Sequence, residues 1–166
     1  MNKNPAKSYT SNSLRTASPG QVILMLYDGA LKFMSLAETG FPMSDPRERN
    51  ETIHNNLVKA QNVLSELQSS LDMKAEGEFA RTMFNLYDFM IRQLQEANIK
   101  KNSAPIKIVK KLLKQIRDSW AEMLRKNFSE AAAAENKAAA NKDESEDESS
   151  SAASDEKVGG TLNENA

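Results

Sequence analysis

The chain holds no cysteine, one histidine and one tryptophan. The first absence excludes disulfides and thiolate metal sites. The second bears on di-metal chemistry in helical bundles, which needs two Glu-x-x-His motifs and two further inward carboxylates. Here Glu51-Thr52-Ile53-His54 supplies one motif and no second histidine exists. Glu51 and His54 also fall off the Ile53 stripe, on the polar side, where a surface histidine is the simpler reading. No phosphate-cradling glycine loop and no Gly-x-Ser-x-Gly turn is present. No apolar run approaches the ~20 residues needed to span a bilayer. The opening Met1-Asn2-Lys3-Asn4-Pro5-Ala6-Lys7 lacks the apolar core of a signal peptide. The expectation is a cytoplasmic, non-enzymatic protein with no cofactor, no metal, no small-molecule substrate and no membrane insertion.

What is present is charge, unevenly placed. The 166 residues carry a formal net charge of −1. From Ser129 to Ala166 there are ten acids against three bases, a net of −7, which leaves 13 acids and 19 bases before it, a net of +6. A near-neutral total thus hides a basic body and an acidic tail. The bases are spread over every segment rather than gathered in one stripe. They read as solvated helix faces, not as a nucleic-acid footprint.

Four helical segments follow a polar arm, residues 1–17, whose one large apolar anchor is Tyr9. Ser18-Pro19-Gly20-Gln21 is a capping box with proline at the first helical position. Asp45-Pro46-Arg47-Glu48 repeats the logic for a second helix. There Ile53, Leu57, Ala60, Leu64, Leu67 and Leu71 recur at spacings of three and four, with Val63 widening the stripe. A third helix starts near Glu76. Its expected stripe is Phe79, Met83, Leu86, Met90, Leu94 and Ala97, with Phe84, Tyr87 and Ile91 beside it. Pro105 marks a fourth, whose stripe runs through Val109, Leu112, Leu113, Ile116, Trp120, Met123 and Leu124 towards Phe128. Residues 130–140 are alanine-rich and extend the helical pattern. From 136 the composition turns acidic and polar, which predicts disorder. The expected fold is all-α: an antiparallel four-helix bundle over 18–135, with a short extra N-terminal helix allowed in the arm.

The first helix carries more apolar surface than one core face requires. Val22, Met25 and Tyr27 stand in addition to Ile23, Leu26 and Ala30. Eight methionines add adaptable surface, although core filling is the simpler role for any one of them. A partner helix lying in a groove would suit the surplus.

These residues also resemble a known family. Thr16-Ala17-Ser18-Pro19-Gly20-Gln21-Val22-Ile23-Leu24-Met25-Leu26-Tyr27-Asp28-Gly29-Ala30 is similar to the N-terminal signature of the flagellar secretion chaperone family, FliS. Asn56–Leu67, Asn85–Met90 with Glu96–Ile99, and Arg117–Trp120 resemble its later helices in order. The likeness covers about residues 9–128. It does not extend to the alanine-rich and acidic stretch, to which it assigns no role.

The resemblance implies a chaperone that binds the C-terminal segment of newly made flagellin. It implies that flagellin is kept from premature polymerisation until the flagellar export apparatus, and with it the export gate, takes it over. A helical module regulating another flagellar or secretion protein is the alternative. Candidate contact residues are Ile23, Leu26, Tyr27 and Asp28 on the first helix, Leu57, Ala60, Gln61 and Leu64 on the second, and Tyr87 and Leu94 on the third. Each also admits a core reading. Contact is preferred for Tyr27 and Tyr87, because a buried hydroxyl needs a partner. Tyr9 is the candidate cap over the groove in the free protein.

Overall fold

The computed structural model describes residues 17–75 and 77–151, of which 138–151 are described by backbone alone. Four helices follow in order: α1 Pro19–Glu38, α2 Pro46–Ser69, α3 Gly77–Lys100 and α4 Ala104–Ser151. The arm, with Tyr9 and any short helix within it, lies outside the described residues, as does 152–166.

Local chemistry sets the boundaries. Ser18 Oγ accepts from the Gln21 amide at 3.3 Å, and Gln21 Oε1 accepts from the Ser18 amide at 3.0 Å, closing the capping box. Asp45 Oδ1 takes the Arg47 and Glu48 amides, both at 2.8 Å. These bonds satisfy donors that a first helical turn leaves open. α3 ends where Lys101 adopts a left-handed backbone (φ 48°). The Asn102 amide then reaches back to the Ala97 carbonyl at 3.1 Å, a Schellman closure.

The helices alternate in direction. Along α2, His54, Gln61 and Gln68 meet Asn98, Ile91 and Phe84 of α3 in falling order. Along α1, Gly20, Asp28 and Glu38 likewise meet Trp120, Arg117 and Lys110 of α4. The result is the up-down bundle that short connections favour. α1 and α2 approach closely along their backbones, as do α2 and α3; α4 packs Leu112, Ile116 and Trp120 against the core.

One continuous core fills the bundle. Met34, Ile53, Leu57, Leu64, Met90, Leu94, Ile106 and Leu113 have no accessible surface. Each such side chain contributes about 1.5–3 kcal/mol by leaving water. On α3 the buried face is Ala80, Met83, Tyr87, Met90, Leu94 and Ala97. The sequence pattern places Phe79 on that stripe and Tyr87 beside it. In the structure Tyr87 is inside, and Phe79 is 57 % exposed. Ala80 and Tyr87 are two turns apart and share a helix face, whereas Phe79 is set back by one residue.

The chain divides into two compact units, one ending at Leu124 and one beginning at Arg125. In the second, helix continues to Ser151, and the side chains of 125–137 are exposed. Alanine, the strongest helix former, is plentiful there. Among the described residues no helix is long and apolar enough to cross a membrane.

Candidate protein-binding surface

The start of α1, the end of α2, the start of α3 and Trp120 of α4 converge on one cleft within the first unit. Ile23, Tyr27, Leu67, Leu71, Phe79, Met83, Tyr87 and Trp120 line it with Ser70, around a volume of about 60 Å³. That is far below the ~300–1,000 Å³ of a small-molecule pocket. Its floor is polar in one place, where the hydroxyls of Tyr27 and Tyr87 lie 2.7 Å apart, both residues buried. Burial pushes the Tyr27 phenol above its ordinary pKa, partly offset by the bond to Tyr87. The Trp120 ring meets that of Tyr27 edge-on, with centroids 6.5 Å apart and planes at 75°. Its indole N–H donates to the Gly20 carbonyl at 2.8 Å. Phe79 stands exposed at the rim.

A second apolar feature lies on the outer side of α1. Val22 and Met25 are half-buried and outside the core set, and Leu36 is 41 % exposed. Gly29 shares that side, and a Cβ placed on it would meet nothing within 4 Å. The surplus expected of α1 is thus real for Val22 and Met25, whereas Tyr27 is absorbed by the core.

The candidate contact residues divide by depth. Ile23, Tyr27 and Tyr87 come together at the cleft. Leu26 is half-buried against the core. Asp28 is exposed and accepts two bonds from the Arg117 guanidinium, at 2.7 and 3.3 Å. That pairing, led by the hydrogen bond, raises the Arg117 pKa. Gln61 is half-buried, and its amide donates to the Ile91 carbonyl at 3.2 Å. Leu57, Ala60, Leu64 and Leu94 have no accessible surface and shape the molecule from beneath. Leu67, Leu71, Phe79, Met83 and Trp120 were legible in the sequence only as stripe positions. Each belongs to the cleft because three chain segments far apart in sequence meet there.

Glu51 pairs with Arg47 at 3.1 Å, and His54 Nδ1 lies 3.0 Å from Asn98 Nδ2. Among the described residues no three His, Asp or Glu side chains gather in a way that could hold a metal.

Comparison with known proteins adds a lineage. Residues 1–127 match the family described as flagellar protein FliS. The flagellar secretion chaperone FliS of Bacillus subtilis is 37 % identical over 123 residues, covering 74 % of this chain and 88 % of that protein. The protein of the same name from Salmonella typhimurium is 33 % identical over 128 residues, covering 76 % and 92 %. That of Escherichia coli is 30 % identical over 114 residues, covering 68 % and 81 %. The family match includes the cleft, the outer side of α1 and every candidate contact residue, and it stops short of the acidic tail.

Proposed function

This chain belongs to the FliS family of flagellar proteins, and on that premise we propose that it is a cytoplasmic export chaperone whose client is the C-terminal segment of flagellin. It holds that segment as helices against its apolar surface, blocks premature polymerisation and hands the client to the flagellar export gate. The observation that carries the reading is the aromatic cleft inside the family-matched region. It is too small for a metabolite, apolar at its rim through Phe79, and lined by the half-buried Ile23. The relatives' name, flagellar secretion chaperone, supports a protein client.

In this reading Ile23, Leu26, Asp28 and Gln61 touch the client directly. Tyr27 and Tyr87 form the floor of the cleft. Leu57, Ala60, Leu64 and Leu94 keep the helices at the spacing the client recognises. A disordered client tail that folds on binding loses about 2–5 kcal/mol in ordering, which keeps the complex reversible enough for export.

Isothermal calorimetry with a peptide spanning the flagellin C-terminus of the same organism tests the proposal. A stoichiometric complex is expected. A folded protein that ignores this peptide but recovers a different flagellar or secretion protein in a pull-down would move the assignment to the alternative, a regulatory helical module.

A further inference from the structure

Bases occur in every segment of the body, yet their excess over acids does not. From Ala97 to Arg117 the chain holds seven bases and no acid, whereas the rest of residues 1–128 holds 12 bases and 13 acids. The whole excess thus sits at the end of α3 and along the first turns of α4. Five of the seven, Lys107, Lys110, Lys111, Lys114 and Arg117, recur at spacings of three and four and share one side of α4. Contacts within the fold account for only part of them. Lys110 pairs with Glu38 and Arg117 with Asp28 of α1, and Lys114 pairs with Asp118. Lys107 and Lys111 are exposed and make no ion pair among the described residues. Like charges four residues apart, as in Lys107 with Lys111 and Lys110 with Lys114, repel. Bases early in a helix also oppose its dipole, and α4 has no acid in its first turn to offset them. The stability of α4 therefore gains nothing from the unpaired lysines. Ile108 stands 53 % exposed beside them, three residues before Lys111.

We infer that this side of α4 is a docking surface for an anionic phospholipid bilayer, with Ile108 entering the interface and Lys107, Lys111 and Lys114 facing the headgroups. Three properties select this occupant. The free cations are lysines, point charges that suit diffuse headgroup charge, whereas fork-like recognition of single phosphates falls to arginine. Arg117 is the one arginine of the stripe, and its guanidinium is already held by Asp28 and Asp118. An exposed isoleucine gains nothing from a polyanion, but it buries its carbons at the boundary of the acyl chains. The face is also the convex side of a helix, which meets a plane along its length; Lys107 and Lys114 are about 10 Å apart along the axis. The contact is peripheral, since no described helix is long and apolar enough to cross a membrane. Each lysine near an anionic surface is worth about fivefold in partitioning, so three give roughly a hundredfold. Such binding is reversible and falls with salt. None of these side chains lines the aromatic cleft, so the inference does not depend on the identity of the client.

Co-sedimentation of the full chain with lipid vesicles tests the surface. At low salt the protein is expected to bind vesicles of phosphatidylglycerol and phosphatidylcholine in equal parts, and not those of phosphatidylcholine alone. Lys107→Gln combined with Lys111→Gln should lower partitioning about 25-fold, the weight of two lysines. Ile108→Ala leaves the charge unchanged and should lower partitioning about tenfold, because most of the inserted carbons are gone. All three side chains are exposed, so both variants should keep the wild-type circular dichroism spectrum. Inorganic phosphate at matched ionic strength should not displace the wild type from the vesicles. Absence of binding to the anionic vesicles, equal binding to both vesicle types, or wild-type partitioning of the lysine variant overturns the inference. Wild-type partitioning of Ile108→Ala overturns the seating of this face in the interface. Displacement by inorganic phosphate, or tighter retention by a single-stranded RNA homopolymer than by the anionic vesicles, overturns the bilayer as the occupant.

Discussion

The hydroxyls of Tyr27 and Tyr87 meet at 2.7 Å inside a core that buries no charged group among the described residues. The pair joins α1 to α3 and forms the floor of the cleft. Each phenol gives the other a hydrogen-bonding partner, so two bulky aromatic residues can sit at almost zero exposure.

Removing one hydroxyl should therefore be felt in stability and in its pH dependence. Tyr27→Phe is expected to cost about 1 kcal/mol in urea unfolding. The double variant with Tyr87→Phe should cost less than the sum of the two single changes, since the residues share one bond. Because burial raises the Tyr27 pKa above 10.0, the folded state holds this proton more tightly than the unfolded chain does. Its contribution is then complete below pH 10 and is lost as pH rises through the folded value. The fall in stability above pH 10 should be shallower in Tyr27→Phe than in the wild type. Parallel alkaline profiles would contradict the assignment.

Depth should separate fold from function. Leu64 has no accessible surface, so Leu64→Ala is expected to destabilise by about 2–5 kcal/mol. Ile23 is half-buried at the cleft, so Ile23→Ala should cost only about 1 kcal/mol in stability. The same change should weaken flagellin peptide binding at least about fivefold, as an anchor residue does. Thermal unfolding and calorimetry on both variants check this together. Equal binding by Ile23→Ala and the wild type would remove Ile23 from the site.

Much of this architecture was legible in the sequence where the cause is local. Ser18 and Gln21, or Asp45 with the amides just after it, declare helix starts within four residues. The α2 stripe from Ile53 to Leu67 is buried as its spacing requires. The α3 face was harder. Phe79 is large and apolar, and Ala80 is small, so hydrophobicity favours the wrong one of two adjacent positions. The face is decided by Tyr87, whose suitability for the core depends on a hydroxyl 60 residues away in sequence. The cleft was not legible as a unit, since Ile23, Leu67, Phe79 and Trp120 are joined only by tertiary packing. The outer side of α1 lies between these cases: Val22 and Met25 signal a surplus, but their exposure depends on where α2 and α4 dock.

Two glycines make opposite predictions. Gly29 is inside α1 with open space where a side chain would go, so Gly29→Ala should stabilise by about 1 kcal/mol through helix propensity. Gly40 is buried, and a Cβ there would stand 2.8 Å from Ile53 Cγ1 and 3.2 Å from the Ala37 and Arg49 carbonyls. Gly40→Ala should cost about 1–3 kcal/mol, because backbone atoms must move as well as a side chain. Melting temperatures moving in opposite directions would bear out both. If Gly29→Ala gains stability and loses client affinity, the open side of α1 is in use by the client.

The last prediction concerns the arm. The cleft lies at the start of α1, where the arm enters, with Gly20 and Ile23 beside it. Tyr9 is eight chain steps from Ala17, an extended reach of about 27 Å. We propose that Tyr9 is the cap over the groove in the free protein. A segment of the chain that covers the cleft competes with the client, and apparent affinity falls in proportion to the fraction of molecules left open. If nine molecules in ten are covered, deleting residues 1–15 should tighten flagellin peptide binding roughly tenfold. The deletion keeps the Ser18 capping box, so α1 should still begin at Pro19, and circular dichroism can verify this. Binding of a hydrophobic dye to the free protein should rise in parallel, because the rim loses its cover. Tyr9→Ala should reproduce much of both effects while leaving the arm's length and charge intact. Unchanged affinity and unchanged dye binding in both variants would rule out the arm as a cap.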